Sequence, residues 1–214
     1  MDTSREELIK LITKLVIEEL SKEEVLIPIG VSNRHVHLRR EDLDVLFGDG
    51  YELTKLRDLK QPGQYASNEL VTIRGPKGEF KNVRILGPLR KETQVEISLS
   101  DGFVLGIKPP IKESGKLKDS AGIEIIGPKG RLIKHEGSIA ALRHIHMTPE
   151  TAKKLKINDK DLVDVEISGE RKAILGNVLV RVSDKYALEM HVDLDEANAC
   201  NLKNNDTVKI VKKG

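Results

Sequence analysis

Four of the chain's six histidines fall in two near-identical pentapeptides, RHVHL at 34–38 and RHIHM at 143–147. Residues i and i+2 of an extended strand face the same way, so His35 shares a face with His37, and His144 with His146. Two imidazoles side by side on a strand make a bidentate platform for a borderline metal such as zinc, whose Zn–N bonds run about 2.0–2.1 Å. One His-x-His is commonplace. Two copies in matched settings, each leading into an expected helix, favour metal binding.

Each pair needs a further ligand. In TQVEISL the polar face carries Gln94, Glu96 and Ser98; in LEMHVDL it carries Glu189, His191 and Asp193. Glu96 and His191 are therefore candidates, with Glu189 and Asp193 competing for the same role as His191. Arg90 stands six residues before Glu96. Its planar, permanently charged fork suits a phosphate or a carboxylate. Cys200 is the rival reading, as an acyl nucleophile, although its Ala-Cys-Asn setting supplies no neighbouring base. A single cysteine excludes an intrachain disulfide and the cysteine-rich zinc sites, and it suits a reducing compartment. His135 stands alone and reads as structural or surface.

Strands must hold these side chains in place. After residue 24, runs of Val, Ile and Thr alternate with Gly-Pro turns at 75–76, 87–88 and 127–128. Strands are expected near 25–31, 34–38, 70–74, 80–86, 93–99, 103–107, 122–126, 131–135, 161–167, 173–182, 187–193 and 207–212. Many short strands of this kind point to barrels or sandwiches. A short helix is expected over about 40–47. Another should begin at Thr148-Pro149-Glu150, where Thr caps, Pro takes the first helical position and Glu suits the dipole. The repeated pentapeptides suggest two related β-rich domains, and GPKG recurs at 75–78 and 127–130, at a different spacing. The lysine-rich stretch PPIKESGKLKDSAG reads as a loop at the boundary between the domains.

At the N-terminus Leu8, Leu11, Ile12, Leu15 and Val16 recur at helical spacing, behind a Ser4-x-x-Glu7 capping box. Such a helix packs on its own domain or docks into another protein's groove. It has no secretory-signal pattern, and no stretch of the chain approaches 18 uncharged apolar residues, so no membrane helix is expected. The 214 residues hold 36 basic and 34 acidic side chains, net +2, and aromatic content is 3% with no Trp. That balance lacks the basic field and the stacking platforms of a nucleic-acid binder.

The blocks IGVSNRHVHL, LKQPGQYASNE, VRILGPLRKETQVEIS, RHIHMTPE and LEMHVDLDEANA, in this order, resemble the PduL-type phosphotransacylases, also called phosphate propanoyltransferases. The resemblance spans about 26–200. It implies a mainly β protein of two β-barrel domains with short capping helices, here with an N-terminal amphipathic helix. The expected division is 1–24 as the helix, 25–46 as a first strand and helix packing with the C-terminal barrel, 47–142 as the first barrel and 143–214 as the second. It implies an acyltransferase that interconverts a propanoyl- or acetyl-CoA plus phosphate with the acyl phosphate plus coenzyme A at two zinc ions. The alternative is a dinuclear metallohydrolase acting on thioesters or phosphoesters. By resemblance, His35, His37 and Glu96 hold one zinc, His144, His146 and His191 hold the other, and Arg90 binds phosphate. Val31, Ser32, Asn33, Lys77, Arg84 and Asn198 contact coenzyme A. A homodimer is expected in the cytoplasm. Residues 3–20 resemble the extension that targets family members into a bacterial microcompartment, through its shell or core proteins.

Overall fold

The computed structural model describes residues 3–20 and 24–211, with the side chains of 3, 4 and 15–20 outside the described set. In chain order the elements are α1 (Thr3–Leu20), β1 (Ile27–Ser32), β2 (His35–His37), α2 (Arg40–Phe47), β3 (Lys55–Asp58), β4 (Tyr65–Arg74), β5 (Glu79–Gly87), β6 (Gln94–Glu96) and α3 (Leu99–Leu105). There follow β7 (Ile111–Lys112), β8 (Ala121–Ile126), β9 (Arg131–Ala141), β10 (His144–Met147) and α4 (Pro149–Leu155). The chain ends with β11 (Leu162–Ile167), β12 (Ala173–Val182), β13 (Glu189–Asp193), α5 (Leu194–Cys200) and β14 (Thr207–Val211).

The strands close into two barrels. One runs β11-β12-β10-β13-β1-β14 and back to β11. The other runs β4-β5-β2-β6-β9, and β8 closes it by pairing with both β9 and β4; β3 and β7 extend it outside the ring. Taken in these orders the two rings match in the parallel or antiparallel sense of every pairing. β2 is parallel to β5 and antiparallel to β6, as β10 is to β12 and β13. β6 is parallel to β9 as β13 is to β1. The difference is one of chain order. In the C-terminal barrel the place of β9 is taken by β1, from the start of the chain. Residues 25–46, expected to pack as one piece with the C-terminal barrel, therefore divide. β1 buries Ile27 and Ile29 against Ile145, Met190 and Val192, whereas β2 and α2 bury Val36, Leu43 and Leu46 with Ile73, Ile85 and Ile125. Each barrel has its own close-packed apolar core, which is what lets a short strand carry a fixed side chain.

Residues 103–107 are not a strand. Residues 103–105 are the last of α3, which Ser98 caps: its hydroxyl takes the Asp101 N–H at 3.2 Å, and the Asp101 carboxylate accepts the Ser98 N–H at 3.3 Å. A capping box outweighs the β-propensity of Phe103-Val104. Gly106, left-handed at φ 76°, ends the helix. α5 starts in the same way at Asp193 and Glu196, and the Thr148 cap on α4 is as expected. β3 and β7 were not foreseen. The Ser4 side chain of the expected capping box and the side chains of Leu15 and Val16 lie outside the described set.

The two GPKG turns prove to be equivalent. The turn at 75–78 joins β4 to β5 and sits under the C-terminus of α3, where the Lys77 N–H donates to Leu105 O at 3.0 Å. The turn at 127–130 joins β8 to β9 and sits under α2, where the Lys129 N–H donates to Leu46 O at 2.9 Å. The approach is so close that a Cβ at Gly75 would lie 2.2 Å from Leu105 O, and one at Gly127 2.5 Å from Leu46 O. In α1, Leu8, Ile9, Leu11 and Ile12 are more than half exposed, so the described part of that helix is not packed as a core helix would be. No helix among the described residues is long and apolar enough to cross a membrane.

Candidate metal centre

Four strand–helix units build the site. Their helix N-caps are Arg39, Ser98, Thr148 and Asp193, and the residue two before each is His37, Glu96, His146 and His191. Strand pairing brings the units together in twos, in one register. β2 and β6 set His35 opposite Glu96, and β10 and β13 set His144 opposite His191. The ligand atoms of His35, His37 and Glu96 lie within 4.8 Å of one another, as do those of His144, His146 and His191.

Backbone carbonyls orient three of the imidazoles. His35 Nδ1 lies 2.8 Å from Asn33 O, His37 Nδ1 3.2 Å from Leu86 O and His144 Nδ1 2.8 Å from Leu142 O. Each carbonyl takes an N–H and leaves Nε2 as the donor. Glu96 Oε2 is 3.5 Å from His35 Nε2, and its Oε1 is 3.9 Å from His37 Nε2. The His146 ring is 4% exposed, and neither of its nitrogens has a hydrogen-bond partner. A buried polar group with no partner is costly, and a metal bond is what would satisfy this one. The imidazole and carboxylate sets thus fit zinc-type ions, one per barrel.

The electrostatics differ between the two sets: burial lowers His35, but the Glu96 carboxylate outweighs it and raises that ring above its ordinary value. Burial opposes ionisation of Glu96, but the His35 and His37 rings and Arg90 outweigh it and hold the carboxyl well below its ordinary value. Burial and the neighbouring His191 push His144 down to about 4; burial with His144 and His191 pushes His146 down to about 2. Those two rings are neutral at pH 7, the state that binds metal.

Both centres face one cleft of about 800 Å³, lined by residues of both barrels. Arg90 lines it, and its Nη1 donates to Ser114 Oγ at 3.0 Å. Ser114 in turn donates to Glu96 Oε1 at 3.1 Å, which ties the arginine to the first set. The lysine-rich stretch is thereby part of the site, and Glu113 pins it to the other barrel through Lys160 at 2.5 Å. Burial raises the Glu113 carboxyl, but Lys116 and Lys160 outweigh that and bring it to about 2. Val31, Ser32, Asn33 and Arg84 also line the cleft. Lys77 and Asn198 are placed away from its lining: Lys77 is in the turn under α3, and Asn198 is on an exposed face of α5. Cys200 is 6% exposed in the core of the C-terminal barrel, with its thiol pushed up by burial. It does not line the cleft.

Sequence reasoning gave no role to Gln61, Ser114, Arg181 or Tyr186, all of which line the cleft. Tyr186 stacks on His146 with ring centroids 4.2 Å apart. Arg181 is a further cation of the lining, 5.7 Å from the Tyr186 ring centroid. Nothing local in the sequence marks these residues, except that Gln61 falls in the block LKQPGQYASNE.

Comparison with known proteins agrees with this geometry. The family model described as phosphate propanoyltransferase matches residues 28–203. A phosphate propanoyltransferase of Thermotoga maritima is 56% identical over 197 residues, 92% of this chain and 94% of that protein. One from Rhodobacter capsulatus is 57% identical over 187 residues, 87% of each chain. One from Clostridioides difficile is 51% identical over 205 residues, 95% of this chain and 98% of that protein.

Proposed function

The chain belongs to the phosphate propanoyltransferase family, and from that premise we propose that it transfers a short acyl group between coenzyme A and phosphate in the cleft between its barrels, at two bound zinc ions. The observation that carries the reading is the pairing of two matched donor sets on one cleft, with Arg90 beside the first. His35, His37 and Glu96 would hold one ion, and His144, His146 and His191 the other. Bound there, zinc would supply a borderline Lewis acid able to stabilise a thiolate and polarise a carbonyl.

The chain's own residues do the rest. The Arg90 fork binds phosphate and orients one of its oxygens toward the thioester carbonyl carbon. Phosphate is already anionic, so no strong base has to create the nucleophile. A bond forms between that phosphate oxygen and the acyl carbon, the C–S bond breaks, and coenzyme A leaves as the thiolate with the electron pair. Arg90 and Arg181 place positive charge where the tetrahedral oxyanion develops. Val31, Ser32, Asn33 and Arg84 hold coenzyme A along the cleft wall. Direct attack needs no acyl-enzyme, and buried Cys200 takes no part.

The curated relatives are named for propanoyl transfer, and propanoyl-CoA is the substrate assigned here, with acetyl-CoA as the competitor to compare. The exposed apolar residues of α1 support a docking helix for shell or core proteins of a bacterial microcompartment. Leu99, Phe103 and Val104, all exposed on the short helix α3, support a homodimer contact. Metal analysis of the purified protein tests the reading. It should find about two zinc ions per chain at pH 7; protein that turns over fully with none removes both sites from the mechanism.

A further inference from the structure

Each site-bearing strand pair has one polar position left over. Opposite His37 it is Gln94, and opposite His146 it is Glu189, at the same place in the two registers. Both are nearly excluded from solvent, at 1% and 7% exposure. Gln94 Nε2 donates to Glu96 Oε1 at 2.5 Å, and its own Oε1 takes the Gly115 N–H at 2.7 Å. Glu189 Oε2 lies 2.7 Å from His191 Nε2 and takes an N–H from Gln61 Nε2 at 3.0 Å. Gln61 is itself fixed by the backbone of Ala187, donating to its carbonyl at 3.0 Å and accepting its N–H at 3.2 Å. Gln61 precedes β4, so the anchor reaches across from the other barrel. Space is kept for this group at Gly30, which pairs with His191; a Cβ there would lie 2.8 Å from Glu189 Oε1.

Distance separates the jobs of the two glutamates. Two groups that share a tetrahedral metal with bonds of about 2.0 Å sit roughly 3.3 Å apart. Glu96 is 3.5 and 3.9 Å from its histidines, the spacing of co-ligands. Glu189 at 2.7 Å from His191 is a hydrogen-bond partner.

We propose that Glu189 is a positioning residue of the second metal site. Its carboxylate accepts the Nε2–H of His191, fixes that ring's tautomer and direction, and leaves Nδ1 as the donor to the metal. Gln94 is its counterpart in the first site. The polarity is matched in each case: an amide donor stands beside the carboxylate ligand, and a carboxylate acceptor beside the imidazole ligand. The proposal rests on the reading of both donor sets as metal sites.

Chelator competition on the full chain tests it, with Glu189→Ala and Glu189→Gln made both in the wild type and in a His35→Leu background that isolates the second site. Loss of an outer partner typically costs about 10–100-fold in metal affinity. Glu189→Ala should weaken the second-site ion by that factor, leave the first-site ion unchanged and alter the cobalt-substituted spectrum of the second site. Glu189→Gln should recover part of the affinity, because its carboxamide oxygen still accepts. Second-site affinity and spectrum equal to wild type in Glu189→Ala overturn the proposal alone. Equal weakening of both ions, with a lower melting point of the metal-free protein, also overturns it, as a merely structural effect. A wild type that binds no metal overturns the metal reading, and the proposal with it.

Discussion

Replacing Arg90 by Ala should cut turnover by roughly 10²–10³-fold, the loss that follows removal of one group aimed at developing negative charge, while both metals stay bound. Arg90 lines the cleft and, among the described residues, its guanidinium is hydrogen-bonded to the first set through Ser114, so its removal leaves the donor atoms in place. Arg90→Lys should recover charge but not the two-pronged contact, and so restore only part of the rate. Steady-state rates as a function of phosphate, measured beside zinc content, check this. Near-normal turnover of Arg90→Ala at saturating phosphate would mean that the nucleophile is held elsewhere, with Arg181 the first residue to examine.

His146→Leu is expected to have two effects of opposite sign. Zinc content should fall from about two to one per chain. Turnover should fall by roughly 10³-fold or more, since a Lewis acid at the reacting centre is worth several kcal/mol. The metal-free variant, by contrast, should be as stable as metal-free wild type or more so. The reason is the buried ring whose two nitrogens have no partner. Leaving such a group unsatisfied costs about 1–3 kcal/mol, and Leu of similar volume removes that cost. About 1 kcal/mol moves the melting point of a chain this size by roughly 2–4 °C. Thermal unfolding with and without chelator separates the terms. A metal-free His146→Leu that melts well below metal-free wild type would show that the ring is a packing element instead of a ligand.

The halves of the site that were legible in the sequence are those in which both positions are histidine. RHVHL and RHIHM announce themselves because the His-x-His pair occurs twice in matched settings and its chemistry is specific. Their partners carry Gln94 with Glu96 and Glu189 with His191, residue types common on any solvated strand face. Composition alone therefore gave only candidates, and the resemblance supplied the ligand sets. The helices behind those partners were missed for a related reason. Leu99–Leu105 has few residues and a β-like run of Phe103 and Val104, and only the reciprocal bond between Ser98 and Asp101 decides it. Asp193 and Glu196 carried the same signal for α5. The GPKG repeat looked incidental because its two copies differ in spacing from the pentapeptides; its meaning lies in the backbone contacts to Leu105 and Leu46. The contacts of Ser114 with Arg90, and of Gln61 with Glu189 from the other barrel, depend on how the barrels and loops meet. No local pattern encodes that.

The most direct test of phosphate-dependent acyl transfer at this cleft is coenzyme A release from propanoyl-CoA, with and without phosphate, on protein of known zinc content. The expected result is release that requires phosphate, yields propanoyl phosphate in equal amount and scales with zinc up to two ions per chain. Release at the same rate without phosphate would contradict it and make the site that of a metal-dependent thioester hydrolase.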